Sequence, residues 1–303
     1  MGPGEVAALV GAAFWAATNL ILRGSIFALG GATAQAWRGV VSSIVFASIF
    51  LALRTPNDIL TIPVRTIGVL LLSVLLSMVL GDILQFTAVR HLGVARALPI
   101  SSSYPLLTLL LATTTLGEQL TARIVAGAVL VIVGVTLVAL PRRSLREQEG
   151  QRHRRRIGRM EGGGAGVAFA LGSAVCVAAA TALVRVVLRG GNVDVLAANM
   201  IRLPVSAVLC TLISVFQRRQ PPWRVERRYV LPLCLAGLTG LVSGLCYLTA
   251  IQVAGASRTA TLNAASPIFG LLGAVMFLGE RPTPRNIVGT LVAFLGIVLV
   301  VST

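Results

Sequence analysis

The sequence predicts an all-α integral membrane protein, with ten transmembrane helices in two inverted-topology repeats of five. Three observations carry this. Hydrophobic residues make up 56% of the 303-residue chain and charged residues only 12%, where a soluble domain carries roughly 25% charge. Residues 93–139 return without a gap at residues 255–301, and 15 of the 47 aligned pairs are identical. Ten stretches come close to the ~20 apolar residues that a membrane helix needs.

The repeat is specific where chance is least able to produce it. Gly93, Arg96, Pro105, Leu116-Gly117-Glu118, Arg123, Gly127 and Gly134 match Gly255, Arg258, Pro267, Leu278-Gly279-Glu280, Arg285, Gly289 and Gly296. Two copies of one unit follow, and the count of crossings in each decides their relation.

The first stretch, 5–22, opens on MGPGE without a basic n-region or a convincing cleavage site, so it reads as a retained helix rather than a signal peptide. Stretch 34–53 follows, then TPNDILTIPVR leads into 66–88, RHLG into 95–116, and GEQLT into 122–140. Pro141 to Glu161 holds eight Arg, three Glu and almost no apolar residues. It is expected to be a mobile basic linker. The second copy supplies 164–184, 196–216, 230–250, 257–278 and 286–302. The organisation is thus 1–140, a five-helix repeat; 141–161, the linker; and 162–303, the second repeat. Five is odd, so the second copy enters the membrane from the opposite side. The copies are then related by an axis in the membrane plane, an arrangement that secondary transporters use.

Composition excludes several chemistries. All 26 basic residues are Arg. Without Lys there is no Schiff base and no Walker A motif. Cys176, Cys210, Cys234 and Cys246 lie in apolar stretches without metal-ligand spacing and read as core residues. His91 and His153 fall in or beside loops. No cofactor or metal is expected, and no nucleic-acid role, because half of the +16 surplus is a topological signal. The ten acids show no catalytic grouping, so an integral membrane lipid-modifying enzyme is disfavoured. The expected partners are a small-molecule substrate and the lipid bilayer, with anionic lipid available to the linker. Monomer and homodimer both stay open, and the expected location is a cell membrane, as a multi-pass protein.

Candidate site residues are the polar groups inside apolar stretches. Gln35, Arg38 and Ser42 match Asn199, Arg202 and Ser206 at a shift of 164; their spacing puts each set on one helical face. Either each Arg meets an anionic group inside the bundle, or it snorkels to the headgroups. Asp82 is the one carboxylate well inside a stretch, and Gly244 aligns with it in the second copy. It can carry a coupling proton or a substrate contact, or act as a structural ion pair with Arg38 or Arg202. Gln85 extends its face, with Tyr247 in the matching place. Pro105 and Pro267 interrupt their helices and free carbonyls one turn earlier, beside Ser101 and Tyr104 in one copy and Asn263 and Ser266 in the other. These kinks either line a site or serve packing. Trp15 and Asn19 lie one turn apart, with Thr181 matching Asn19; they line a pathway or pack the bundle. Glu118 and Glu280 read as turn acids paired with Arg and nearby helix N-termini. The recurring glycines mark close helix packing.

The pattern F-x-A-x-x-x-x-G-x-A-R-A-x-x-I-S-S-S-Y-P-L-x-T-x-L-L-A over Phe86–Ala112, the Leu116–Glu118 turn and the Gly127–Gly134 helix resembles the drug/metabolite transporter superfamily, EamA type. The second copy fits through Ala250, Gly255, Asn263–Pro267, Leu278–Glu280 and Gly289–Gly296. The resemblance implies a ten-helix carrier of small metabolites or drug-like compounds, exporter or importer, proton-coupled or facilitative, with export the expectation. It also implies a central cavity lined by the first four helices of each copy, with the fifth peripheral, and both termini in the cytoplasm.

Charge argues the opposite orientation. The loops on the linker side carry 18 Arg and those on the other side 6. The positive-inside bias therefore puts the linker in the cytoplasm and both termini outside. A reporter active only in the cytoplasm, fused after Thr303, should stay silent; strong activity would reverse the assignment.

Overall fold

The computed structural model describes residues 2–29, 31–54, 61–92, 100–119, 121–139, 163–191, 193–218, 225–278 and 283–302. The linker 141–161 and Glu280 lie outside them. The described chain is helical throughout: α1 (Pro3–Leu29), α2 (Gly31–Leu53), α3 (Val64–Val74), a π-helical segment (Leu75–Gly81), α4 (Asp82–Leu92), α5 (Tyr104–Leu116), α6 (Ala122–Ala139), α7 (Gly163–Arg189), α8 (Val195–Arg218), α9 (Arg227–Ala254), α10 (Ala256–Asn263), α11 (Ser266–Leu278) and α12 (Pro284–Val301). Seven described spans are long and apolar enough to cross a membrane unbroken.

Two expected helices are not continuous. Stretch 257–278 divides into α10 and α11 around Ala264-Ala265, and α5 begins only at Tyr104. Pro105 and Pro267 sit in the first turn of a new helix, where the missing N–H costs nothing. The turns are the same in both copies. Ser103 N–H donates to the Ile100 carbonyl at 3.1 Å and Ala265 N–H to Leu262 at 3.2 Å. The prolines therefore start helices; they do not kink through them.

Helix pairing obeys a two-fold axis. The first helix of each copy packs on the third of the other: α1 on α9, and α7 on α4. The second helices pair as α2 with α8, the fourth as α5 with α10, and the fifth as α6 with α12. The self-paired helices run antiparallel. A Cβ on Gly127 would meet the Gly296 carbonyl at 2.7 Å, while Gly134 faces Gly289 and Ala293. On the neighbouring pair, Thr33 shares a 2.8 Å hydrogen bond with Ser214. Antiparallel self-pairs are what inversion in the membrane plane produces. Lipid supplies no hydrophobic drive between helices, so backbones must come close to gain dispersion energy; Gly127, Gly134, Gly289 and Gly296 allow it. The apolar core between the second, third, sixth and eighth crossings is filled by Phe46, Phe50, Leu70, Val184, Leu248 and Ile251.

Gly134→Leu should lower the thermal midpoint of the purified protein, at a cost of about 1–3 kcal/mol for overpacking. Gly68→Leu, where an added Cβ meets nothing within 4 Å, should not. Equal midpoints for the two variants would rule out close α6–α12 packing.

Candidate functional site

Arg38 does not snorkel. It lies seven residues into α2, about 10 Å from that helix's end at 1.5 Å per residue. Its guanidinium carbon sits 5.1 Å from the Trp15 ring centroid, and its Nε is buried without a partner among the described residues. A Cβ on Gly240 would fall 3.0 Å from Arg38 Nη1, so the guanidinium occupies space that only glycine leaves free. Asp82, the first residue after the π-helical segment, interacts electrostatically with Arg38 and with Cys210 of α8. It closes no direct hydrogen bond or ion pair among the described residues. π segments add a residue to a turn and often mark functional positions; here Ser173 Oγ donates to the Gly81 carbonyl at 2.9 Å and fixes the bulge against α7. One turn beyond Asp82, Gln85 Oε1 is also buried and unpartnered.

A second cluster grows from the other copy. Arg202 lies seven residues into α8, about 10 Å from the opposite end of the bundle. Its Nε is likewise buried and unpartnered. Tyr247 is its electrostatic neighbour, and the Tyr247 hydroxyl shares a 2.9 Å hydrogen bond with Thr181 Oγ1. Tyr104, from the first copy, interacts with Tyr247 and with the Asn263 side chain and donates to the Ala260 carbonyl at 3.2 Å. The broken fourth and ninth crossings thus meet where their turns lie. Asn199 Oδ1 is 3.9 Å from the place a Cβ of Gly244 would take.

Other candidates fall elsewhere. Asn19 is exposed and donates to the Trp15 carbonyl of its own helix at 2.8 Å. Ser101 Oγ donates to the Ala170 carbonyl at 3.3 Å, tying its turn to α7. Gln35 and Ser266 are half-buried and bond to neither cluster. Ser42 is buried and bridges the Arg38 and Gly237 carbonyls, each at 2.8 Å, so it packs helices. Cys210 and the π segment were not singled out from the sequence; apolar context hid the first, and a π turn has no composition signal. No group of three His, Cys, Asp or Glu among the described residues is arranged to hold a metal.

The model of the EamA-like transporter family matches residues 2–140 and again residues 164–302. The chain belongs to that family. It is similar to an uncharacterized transporter of Archaeoglobus fulgidus, 27% identical over 297 residues, which cover 96% of this chain and 95% of the relative. A solved structure, described only as a crystal structure of a protein, superposes with a TM-score of 0.77 at 19% identity, covering 98% of this chain and 95% of that one; it supports the fold alone. The protein is a multi-pass membrane transporter.

The LGE turn of this EamA-like chain has a task across the repeats. Glu118 accepts from the Ala256 amide at 3.0 Å, the Ser257 amide at 3.2 Å, the Ser257 hydroxyl at 2.7 Å and Arg185 Nε at 3.1 Å. It therefore caps α10 of the other copy; its Arg partner is Arg185 rather than the nearby Arg123. Gly255, at φ +89°, lets the α10 N-terminus approach: a Cβ there would meet Glu118 Oε1 at 2.8 Å. Arg185 also donates to the Ile251 and Gln252 carbonyls at 2.8 and 2.6 Å, and Arg189 donates to the Leu116 carbonyl. Glu5 pairs with Arg258 at 2.9 Å. With ten crossings both termini share one end of the bundle, and all these contacts lie there. Burial alone would raise the Glu118 carboxyl. The Ser257 hydroxyl, the two amides and Arg185 outweigh it and hold the group below the ordinary carboxyl range.

Both partners are largely buried, with side chains 14% and 17% exposed. Glu118→Ala should therefore destabilise the purified protein by about 3 kcal/mol, as for a buried pair broken from one side. A depressed carboxyl contributes stability above its unfolded value and loses it as pH falls through the folded value. Wild-type melting temperature should thus fall at acid pH more steeply than that of Glu118→Gln. Parallel pH profiles would remove Glu118 from the account.

Proposed function

We propose that this membrane transporter is a secondary transporter, moving a small organic metabolite by alternating access with Asp82 as the proton carrier. The observation that carries the reading is the placement of Asp82. It is an intramembrane carboxylate without a direct partner among the described residues, within the field of Arg38 but not locked to it. A carboxylate in hydrocarbon is costly and by default functional. A structural ion pair would be closed and hydrogen-bonded, as Glu118–Arg185 is. Ionised, Asp82 compensates Arg38; protonated, it releases Arg38 to other anions. One proton thereby changes what the cavity favours. The inverted repeats supply the two-state element, since either copy can rock against the other about the central groups. Broken fourth and ninth crossings at Ser101–Tyr104 and Asn263–Ser266 provide hinge-like turns beside the site.

In proteoliposomes, solute flux by the wild type should follow an imposed pH gradient. Asp82→Asn should lose at least tenfold of the gradient-driven flux while eluting as a folded, monodisperse protein. Flux that persists with unchanged pH dependence would remove Asp82 from the coupling step.

A further inference from the structure

The two copies differ in how they compensate charge. Arg38 has Asp82 in its field and Trp15 beneath it. Arg202, its mate at a shift of 164, has neither. No hydrogen bond or ion pair reaches its guanidinium among the described residues, and its Nε is buried. The position corresponding to Asp82 in the second copy is Gly244. The space there is open: the nearest atom to an added Cβ is Asn199 Oδ1, at 3.9 Å. Asn199 and Arg202 are three residues apart on α8, while Gly244 and Tyr247 are three apart on α9, so the four share one facing surface. A cation buried without a counter-charge is expensive, and a guanidinium fork suits a carboxylate or phosphate oxygen pair.

We infer that the substrate supplies the anion the second copy lacks: an organic carboxylate or phosphate that docks on Arg202 in the space left by Gly244. This deepens the transporter reading and rests on it. Asn199 and the Tyr247 hydroxyl stand beside that space as additional polar contacts. Asp82 stays with Arg38, so the two guanidiniums divide the labour, one with the coupling carboxylate and one with the substrate.

The test uses the purified full-length chain and matched probes: lactate with lactamide, benzoate with benzamide, glycerol 3-phosphate with glycerol, and benzylamine as a cation. Thermal shift reads binding, and proteoliposome counterflow follows any probe that binds. At least one anion should raise the midpoint while its neutral mate does not, and the carboxylate and phosphate arms identify which oxyanion is preferred. Arg202→Gln should weaken that anion at least tenfold, with Arg202→Lys in between. Gly244→Asp, a built-in carboxylate, should abolish its binding, whereas Gly244→Ala, for which there is room, should retain it. The inference is overturned if no anion binds, if the anion shift survives Arg202→Gln and Gly244→Asp undiminished, or if only neutral or cationic probes bind and cross. That last result would leave the transporter reading intact. An anion that binds through Arg202 but never crosses would keep the site and remove the transport reading.

Discussion

Inside a bilayer a charged side chain must find its counter-charge in the protein, because no water is there to solvate it. The bundle is organised around this constraint. Glu5 meets Arg258 and Glu118 meets Arg185 as closed pairs, each joining one copy to the other. Asp82 and Arg38 are coupled without touching. Arg202 is left without a carboxylate among the described residues. The closed pairs tie the two copies together at one end of the bundle. Under the proposed reading the open pair and the unpaired cation would be the places where a proton or a ligand changes the energy, since breaking one side of a buried, closed pair is strongly destabilising.

The duplication fixes which residues can take each task. An odd number of crossings forces inversion, and in this bundle the first helix of each copy packs against the third of the other. Residues common to both copies accordingly appear at contacts: Gly127, Gly134, Gly289 and Gly296 where α6 meets α12, and Pro105 with Pro267 at matching helix starts. At the candidate site the matched Arg38 and Arg202 stand among residues that differ between the copies. Asp82 against Gly244, Tyr104 against Ser266 and Gln85 against Tyr247 break the symmetry; under the proposed reading they would do so where a transported molecule, itself asymmetric, has to be recognised. A site built from identical halves would offer two equal poses and discriminate poorly between them.

Much of this was legible in the sequence because it rests on hydropathy, spacing and self-similarity. The crossings, the inversion and the close packing at the recurring glycines needed nothing more, though which helices those glycines join did not follow, and the charged stripe of Arg38 and Arg202 came from helical periodicity. Other features were not legible, for identifiable reasons. Proline predicts a disturbance but not its sense, so Pro105 and Pro267 were expected to kink helices that they instead begin. The π segment before Asp82 depends on tertiary fixing through Ser173 and Gly81. Glu118 was readable as a capping acid, but its partners, Arg185 and the α10 N-terminus, lie 67 and 138 residues away. The sequence left open which Arg would pair with it. Ser42 matched the site stripe yet serves packing, because periodicity assigns a face and cannot say which neighbour that face meets.

The staple at the terminal end bears on how such a bundle works. Glu118 holds the α10 N-terminus and Arg185 together, and Arg202 lies about 10 Å inside the same end. An anion on Arg202 would therefore rest directly beneath the closed contacts. At an offset of 162, Glu280, Gly93 and Arg23 repeat Glu118, Gly255 and Arg185. Glu280 and Gly93 lie outside the described residues, so this is a repeat of sequence alone. Under the proposed alternating-access reading each end of the bundle closes in turn, and the contacts around Glu118 would be the closed form of the terminal end. In that reading the bias between states would fall to the central groups, with Asp82 gaining or losing the proposed proton and Arg202 the proposed anion.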